Sequence, residues 1–200
     1  AAMVRKAIVQ QSVEYKMLEG DIGYIKISSF IDSTAKDFDK ALAAVKEKKA
    51  KKLILDLRDN GGGLVDQSVD VADEFLDEGV VCYTEDKRGK TNSYNAEDGK
   101  TDIETVVLIN GNSASASEIL AGALKDNGFK IVGERSFGKG VIQTTIELED
   151  GSALKLTIMQ YLSPDKHVIN EKGISPDYKV KNKESTKTDE QLDKAIDVIR

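Results

Sequence analysis

Residues 52–63 read KLILDLRDNGGG. The apolar run at residues 52–57 is typical of a short strand buried in a parallel sheet. A turn with three successive glycines follows it, and residues 64–76 then carry apolar side chains at helical spacing. A buried strand, a tight turn and a helix in this order indicate an α/β fold.

The same order recurs on both sides of this stretch. Upstream, residues 22–28 (IGYIKIS) alternate as a strand does, and residues 32–34 (DST) offer N-cap chemistry to a helix reaching about Lys49. Downstream, residues 105–109 (TVVLI) predict a second buried strand, followed by a helix over about residues 115–125. The Asn-Gly pair after it is typical of a helix C-terminus.

The remaining segments are mostly strand-like. Four further strands are predicted at residues 80–84, 130–132, 140–147 and 153–161. Residues 87–102 are predicted to form a hairpin connection, residues 183–188 a linker, and residues 189–200 a short amphipathic helix. We therefore predict one domain over residues 1–200, an α/β fold with a mixed sheet and flanking helices.

Composition excludes several classes of function. Lysine and arginine total 29 against 35 acidic residues, a net charge of −6, which argues against nucleic-acid binding. No apolar run reaches the roughly 18 residues of a membrane span, so no membrane contact is expected. The lone Cys82 is predicted to be a small core residue. With His167 as the single histidine, a histidine-based triad or a multi-histidine metal site is hard to build.

Two strand-to-helix turns contain the unusual residues. In residues 58–63 (RDNGGG), backbone N–H groups precede a helix N-terminus, where an anion is favoured. A tight turn without any ligand is the alternative. In residues 111–118 (GNSASASE), small residues permit a sharp turn that exposes a serine, as nucleophile elbows do. N-capping by one of the three serines is the alternative there.

A serine nucleophile needs a base, and the sequence nearly excludes histidine for that role. Lysine can act when burial favours its neutral amine. The candidate is Lys139, which lies between two glycines in SFGKG, and the amide carbonyl of Gln143 is positioned along the chain to orient it. A lysine between glycines is otherwise an ordinary surface-loop residue.

Five blocks now combine into a known pattern: IGYIKISSF, LILDLRDNGGG, NGNSASASEILAGALKDN, GERSFGKGVIQ and LKLTIMQYLSPD with GISPD. Together they resemble the carboxyl-terminal processing (tail-specific) proteases, in the order of that family and over nearly all of residues 20–178. The resemblance implies a fold like the core of crotonase and Clp protease. It also implies a serine endopeptidase that acts through a Ser–Lys dyad.

Carried over by position, the resemblance implies Ser115 as the nucleophile, Lys139 as the general base and Gln143 as its orienting partner. It implies an oxyanion hole made by the amide of Ala116 and a glycine amide of the NGGG turn. Gly62 is the preferred glycine and Gly63 the second. Neither a metal nor a cofactor is implied.

The resemblance further implies polypeptide substrates with accessible C-termini, an extracytoplasmic location and the possibility of a homo-oligomer. Family members usually have a PDZ domain ahead of this core, and the chain has no room for one. Residues 1–20 are therefore expected to be the remnant of a junction with such a domain. A non-catalytic peptide- or ligand-binding module and a fragment inactive without its PDZ domain stay open as alternatives.

Overall fold

The structure is a computed structural model that describes residues 11–97, 101–183, 185 and 188–200. The strands in this part of the chain are β1 (Val13–Leu18), β2 (Ile22–Ile27), β3 (Lys52–Asp56), β4 (Gly79–Asp86), β5 (Thr91–Ala96), β6 (Glu104–Ile109), β7 (Lys130–Gly133), β8 (Val141–Glu147), β9 (Ala153–Leu162) and β10 (Tyr178–Lys179). The helices are α1 (Thr34–Glu47), α2 (Val65–Asp73), α3 (Ala116–Asp126) and α4 (Glu190–Ile199).

The larger sheet has the strand order β1-β2-β3-β6-β7-β10. Strand β1 is antiparallel to β2, and all the other neighbours in this sheet are parallel. Leu53, Ile54 and Leu55 of β3 are fully buried, as the apolar run predicted. The predicted α/β fold with a mixed sheet is confirmed.

Helices cover both faces of this sheet. Successive side chains of a strand point to opposite faces. Leu53 and Leu55 accordingly pack in the core under α1, α2 and α3, which includes Phe38. Ile54 belongs to a second apolar cluster that contains Ile199 of α4. The predicted amphipathic C-terminal helix is thus present and covers the second face.

The smaller sheet is antiparallel throughout, with the order β5-β4-β9-β8. Strand β5 pairs back onto β4, which is the hairpin predicted within residues 87–102. Cys82 of β4 is buried, and burial raises the pKa of its thiol to about 12, as expected of an unreactive core residue. In the described residues, no helix is long and apolar enough to cross a lipid bilayer.

Some boundaries differ from the predictions. Helix α2 ends at Asp73, before the predicted end at Leu76, where the chain continues as a turn. Residues 13–18, within the predicted junction remnant, form β1 and pair with β2 along its whole length, so they are an edge strand of the core sheet. Residues 1–10, 98–100 and, in the predicted linker, 184, 186 and 187 lie outside the described part of the chain.

Parallel pairing places the candidate functional residues. The carboxyl ends of β3, β6 and β7 lie at the same edge of the larger sheet because the three strands are parallel neighbours. The segments that follow them are named here the glycine turn (residues 57–63), the serine turn (residues 110–115) and the lysine turn (residues 134–140). All three turns therefore meet at one edge, where α/β sheets commonly carry their ligands.

Candidate active site

The glycine turn and the serine turn are bonded directly to each other. The Ser113 hydroxyl donates to the Leu57 carbonyl at 2.8 Å. The Asn60 carbonyl accepts from the Ser117 hydroxyl and from the Ala114 N–H, both at 2.9 Å. Ser113 and Ser117 are fully buried. Two of the three candidate serines are thus committed to holding the turns together.

Ser115 is the least buried of the three serines. Its backbone has φ 58° and ψ −118°, a combination that residues with a Cβ rarely adopt. Such conformations cost on the order of 1–3 kcal/mol and concentrate at functional sites. The Ser115 carbonyl accepts the N–H of Glu118 at 2.8 Å, and the Ser115 side chain faces the same N–H as one half of a capping box whose other half is the Glu118 carboxylate. The turn leaves the Ser115 side chain partly exposed, while those of Ser113 and Ser117 are buried.

We expect Ser113→Ala and Ser117→Ala to lower stability more than activity. Each removes a buried hydrogen bond between the turns, which corresponds to about 1–3 kcal/mol of unfolding free energy. This exceeds the loss expected for a helix cap, because neither hydroxyl is a cap here. Thermal unfolding and the proteolysis rate per folded molecule are the measurements. An inactive Ser113→Ala together with an active Ser115→Ala would contradict the assignment of Ser115.

The lysine turn is attached to the serine turn by the Phe137 N–H, which donates to the Ser113 carbonyl at 2.9 Å, and by the carboxylate of Glu118. Its Oε2 accepts the backbone N–H of Ser115 and that of Lys139, each at 2.8 Å. Its Oε1 accepts the Ser136 hydroxyl and the Gly138 N–H, each at 2.6 Å. Because one oxygen contacts both, the backbone nitrogens of Ser115 and Lys139 lie within twice 2.8 Å of each other.

The side chains of Lys139 and Gln143 are less constrained than their backbones. Both residues are exposed. Gln143 Nε2 lies 3.4 Å from Thr157 Oγ1 on the neighbouring strand, and within the described residues the Lys139 ammonium has neither a hydrogen bond nor an ion pair. The structure therefore brings the Ser115 and Lys139 backbones together and does not place Gln143 against Lys139. Catalytic hydrogen bonds commonly tighten only in the substrate complex.

The two glycines predicted for the oxyanion hole differ in their amides. The Gly62 N–H donates to Asn60 Oδ1 at 2.9 Å and is therefore occupied, contrary to its choice as the preferred donor. Gly63 is exposed, and its N–H has no acceptor in the described part of the chain. The Ala116 N–H is the first of α3 and has no acceptor within the helix. Gly63 and Ala116 are thus the two donors that remain.

The role of Gly62 is steric, because its lack of a side chain leaves space for Ser115 and Ala116. Its φ of 101° already favours glycine. A Cβ at this position would lie 2.8 Å from Ser115 Cβ and 3.1 Å from the Ala116 nitrogen, closer than side chains pack. The absence of a side chain at residue 62 therefore permits the close approach of the glycine turn to Ser115.

Arg58 anchors the glycine turn to the C-terminal helix. Its guanidinium is mostly buried and contacts Asp56 and Asp189, the N-cap of α4, each at 2.7 Å. Burial by itself lowers the pKa of Arg58, but the two carboxylates outweigh it and raise it. Burial by itself raises the pKa of Asp189, and the hydrogen bonds from Arg58 outweigh it and lower it. The ion pairs of Arg58 with these two carboxylates therefore hold the glycine turn against the N-terminus of α4.

The single histidine lies at the far end of α3 from Ser115. His167 Nδ1 is 3.5 Å from Asp126 Oδ1, at the last residue of the helix. Ser115 precedes the first residue, and 11 residues of α-helix span about 16 Å. The ligand atoms of Asp126, Asp165 and His167 lie within 4.8 Å of one another, but this group is outside the candidate site. His167 is too distant to accept a proton from Ser115.

Two residues that hold the turns of the site in place, Glu118 and Arg58, were not identified from the sequence. Ser115 and Glu118 have the spacing of a capping box, in which the Glu118 carboxylate accepts the Ser115 N–H. One of the four hydrogen bonds of Glu118 was therefore predictable from the local sequence. The ion pair of Arg58 with Asp189 was not predictable from the local sequence, because the two residues are 131 positions apart.

Comparison with known proteins gives consistent results. Residues 21–180 match the family model described as peptidase family S41. A probable CtpA-like serine protease of Staphylococcus aureus is 43% identical over 178 residues, covering 86% of this chain and 36% of the relative. Carboxyl-terminal-processing peptidase 3, chloroplastic, of Arabidopsis thaliana is 48% identical over 159 residues, covering 78% of this chain and 31% of the relative.

A solved structure supports the same placement. The photosystem II D1 C-terminal processing protease superposes with a TM-score of 0.81 at 33% identity, covering 94% of this chain and 53% of that protein. The chain spans about a third of the length of the two curated relatives. On its match to the family model and its likeness in sequence and fold to these proteins, the chain belongs to peptidase family S41.

Proposed function

We propose that this chain is the catalytic core of a serine endopeptidase that uses Ser115 as nucleophile and Lys139 as general base. The observation that carries the proposal is the shared oxygen of Glu118, which holds the backbones of both residues in adjacent turns. The four-carbon stem of lysine is long and flexible, so its amine can reach a hydroxyl on the neighbouring turn. The partly exposed position of Ser115 leaves room for a substrate carbonyl.

The proposed reaction is acyl transfer. Neutral Lys139 removes the proton of the Ser115 hydroxyl, and Oγ attacks the carbonyl carbon of a peptide bond. The amides of Ala116 and Gly63 stabilise the oxyanion of the tetrahedral intermediate. Lys139 then protonates the leaving amine, and water hydrolyses the acyl-enzyme. Gln143 is proposed to orient the lysine amine once substrate has displaced the solvent around it.

The proposed substrates are unfolded proteins and C-terminal tails outside the cytoplasm. An extended peptide can add to the exposed edge of a sheet through main-chain hydrogen bonds. Strand β8 begins just after Lys139, lies at the end of the smaller sheet and has β9 as its partner on one side. The names of the relatives, a carboxyl-terminal-processing peptidase and a D1 C-terminal processing protease, support the same class of substrate.

The direct test is to incubate the purified chain with unfolded casein, with Ser115→Ala as the matched control. We expect the wild-type chain to release casein fragments and the control to release none. Equal fragmentation by both proteins would contradict the proposal. Binding of casein by the wild-type chain without any cleavage would favour a peptide-binding module on the same fold.

We expect His167→Gln to leave the rate and its dependence on pH unchanged. The imidazole is exposed and about a whole helix length, roughly 16 Å, from Ser115. Measurement of kcat/KM from pH 6 to 9 for both proteins tests this. With Lys139 as the base, the two proteins have the same dependence of kcat/KM on pH. Loss of the acidic limb in His167→Gln alone would identify histidine as the base instead.

A further inference from the structure

Glu118 occupies an unusual position for a carboxylate. It is fully buried at the first turn of α3. Its hydrogen-bond partners are three backbone N–H groups and one hydroxyl, and no lysine or arginine side chain is among its partners in the described residues. A buried charge is costly unless hydrogen bonds compensate for it. Four short bonds provide that compensation, because an ionised carboxylate accepts at both oxygens.

We propose that Glu118 is a positioning residue, which fixes the backbone of the lysine turn against the backbone of Ser115. The inference rests on the proposed function and adds to it a group that, together with the Phe137–Ser113 backbone bond, sets the distance between the turns of nucleophile and base. Oε2 holds Ser115 and Lys139, and Oε1 holds Gly138 and Ser136. The carboxylate is planar and rigid, so it fixes the two turns relative to each other. Glu118 itself does not touch the substrate.

The chemistry of a carboxylate is needed for this role. Glutamine has nearly the same shape but one acceptor oxygen, and its –NH2 group donates. In one orientation of a glutamine, the –NH2 faces the N–H groups of Ser115 and Lys139. In the other orientation it faces the N–H of Gly138. Both orientations therefore place a donor against a donor of the lysine turn and displace that turn from Ser115.

The test compares Glu118→Gln with Thr105→Val as a matched control. Thr105→Val removes one buried hydrogen bond, from the Thr105 hydroxyl to the Ile103 carbonyl, at the opposite end of β6 from the serine turn. Since a misplacement of about 1 Å can cost on the order of 100-fold in rate, we expect kcat of Glu118→Gln on casein to fall about that much. We expect KM to change less than about 3-fold, because Glu118 does not contact the substrate. We expect Thr105→Val to keep kcat within about 5-fold, because the bond that it removes lies away from all three turns.

A second measurement does not depend on catalysis. Hydrogen exchange of the Ser115, Gly138 and Lys139 amides, followed by NMR in the substrate-free chain, is expected to be slow in the wild type and faster in Glu118→Gln. Amides of the β3 strand serve as the internal reference for global stability. If Glu118→Gln does not fold, Glu118→Asp replaces it. Its shorter side chain keeps the charge but cannot reach both turns, so a reduced kcat is again expected.

Several results would overturn the inference. They are a wild-type kcat in folded Glu118→Gln or Glu118→Asp, equal losses of kcat in Glu118→Gln and Thr105→Val, and unchanged exchange at Ser115 and Lys139. If the wild-type chain cleaves no casein while amide hydrogen exchange is faster in Glu118→Gln, the proposed function is wrong. The hydrogen bonds of Glu118 then position the two turns but have no catalytic role. The two failures are thus distinguishable.

Discussion

Replacement of Ser115 by alanine is expected to lower kcat/KM on unfolded casein by at least about 10⁴-fold, because no other group supplies the attacking oxygen. Stability is expected to fall by about 1 kcal/mol, the loss of one helix cap, because the Ser115 side chain belongs to the capping box with Glu118 and makes no bond to the glycine turn. The carbonyl of residue 115 still accepts from Glu118, and its N–H still donates to that carboxylate.

The contrast with Ser113→Ala makes this result specific. Ser113 lies two residues away in the same turn, and its hydroxyl bonds to Leu57. The expected pattern is a stable, inactive Ser115 variant beside a less stable, active Ser113 variant. A Ser115→Ala protein that keeps a tenth or more of the wild-type rate would remove Ser115 from the mechanism.

Replacement of Lys139 by arginine is expected to lower kcat/KM by at least about 10³-fold, as much as replacement by alanine, because arginine does not give up its proton at accessible pH. Both variants are expected to fold normally. The side chain of Lys139 is exposed and has no partner in the described residues, and Glu118 binds its backbone. Steady-state kinetics and thermal unfolding of the two variants are the measurements.

Gln143→Ala is the control for this pair and is expected to be milder, because Gln143 only orients the amine in the proposed mechanism. Full activity of Lys139→Arg would show that residue 139 contributes positive charge and that the base lies elsewhere. Loss of activity in Lys139→Ala alone would lead to the same conclusion.

The parts of the fold that local sequence determines were predictable. The apolar run of β3 and the spacing of Phe38, Leu42 and Val45 along α1 identify a buried strand and the buried face of a helix, and the structure has both. Asn127 ends α3, and Gly128 follows with φ 88°, as the Asn-Gly pair predicted. Such signals depend on neighbours within a few residues, so a single sequence contains them.

Contacts between distant segments were not predictable in the same way. Residues 111–118 contain three serines of similar local context, and capping and catalysis both remained open from sequence. Only the position of the glycine turn decides that Ser113 and Ser117 are bonded to it and that Ser115 is not. The same holds for the Gly62 amide, which is occupied by the side chain of Asn60. These contacts follow from tertiary packing, on which local patterns give no information.

The measurement that tests the central claim most directly is the site of acylation. The wild-type chain is mixed with a peptide ester, quenched in acid within the first turnover, digested and analysed by mass spectrometry. With Ser115 as the nucleophile, the peptide containing Ser115 gains the mass of the acyl group, and Ser115→Ala gains none. An adduct on a different residue, or the same adduct in Ser115→Ala, would contradict the account.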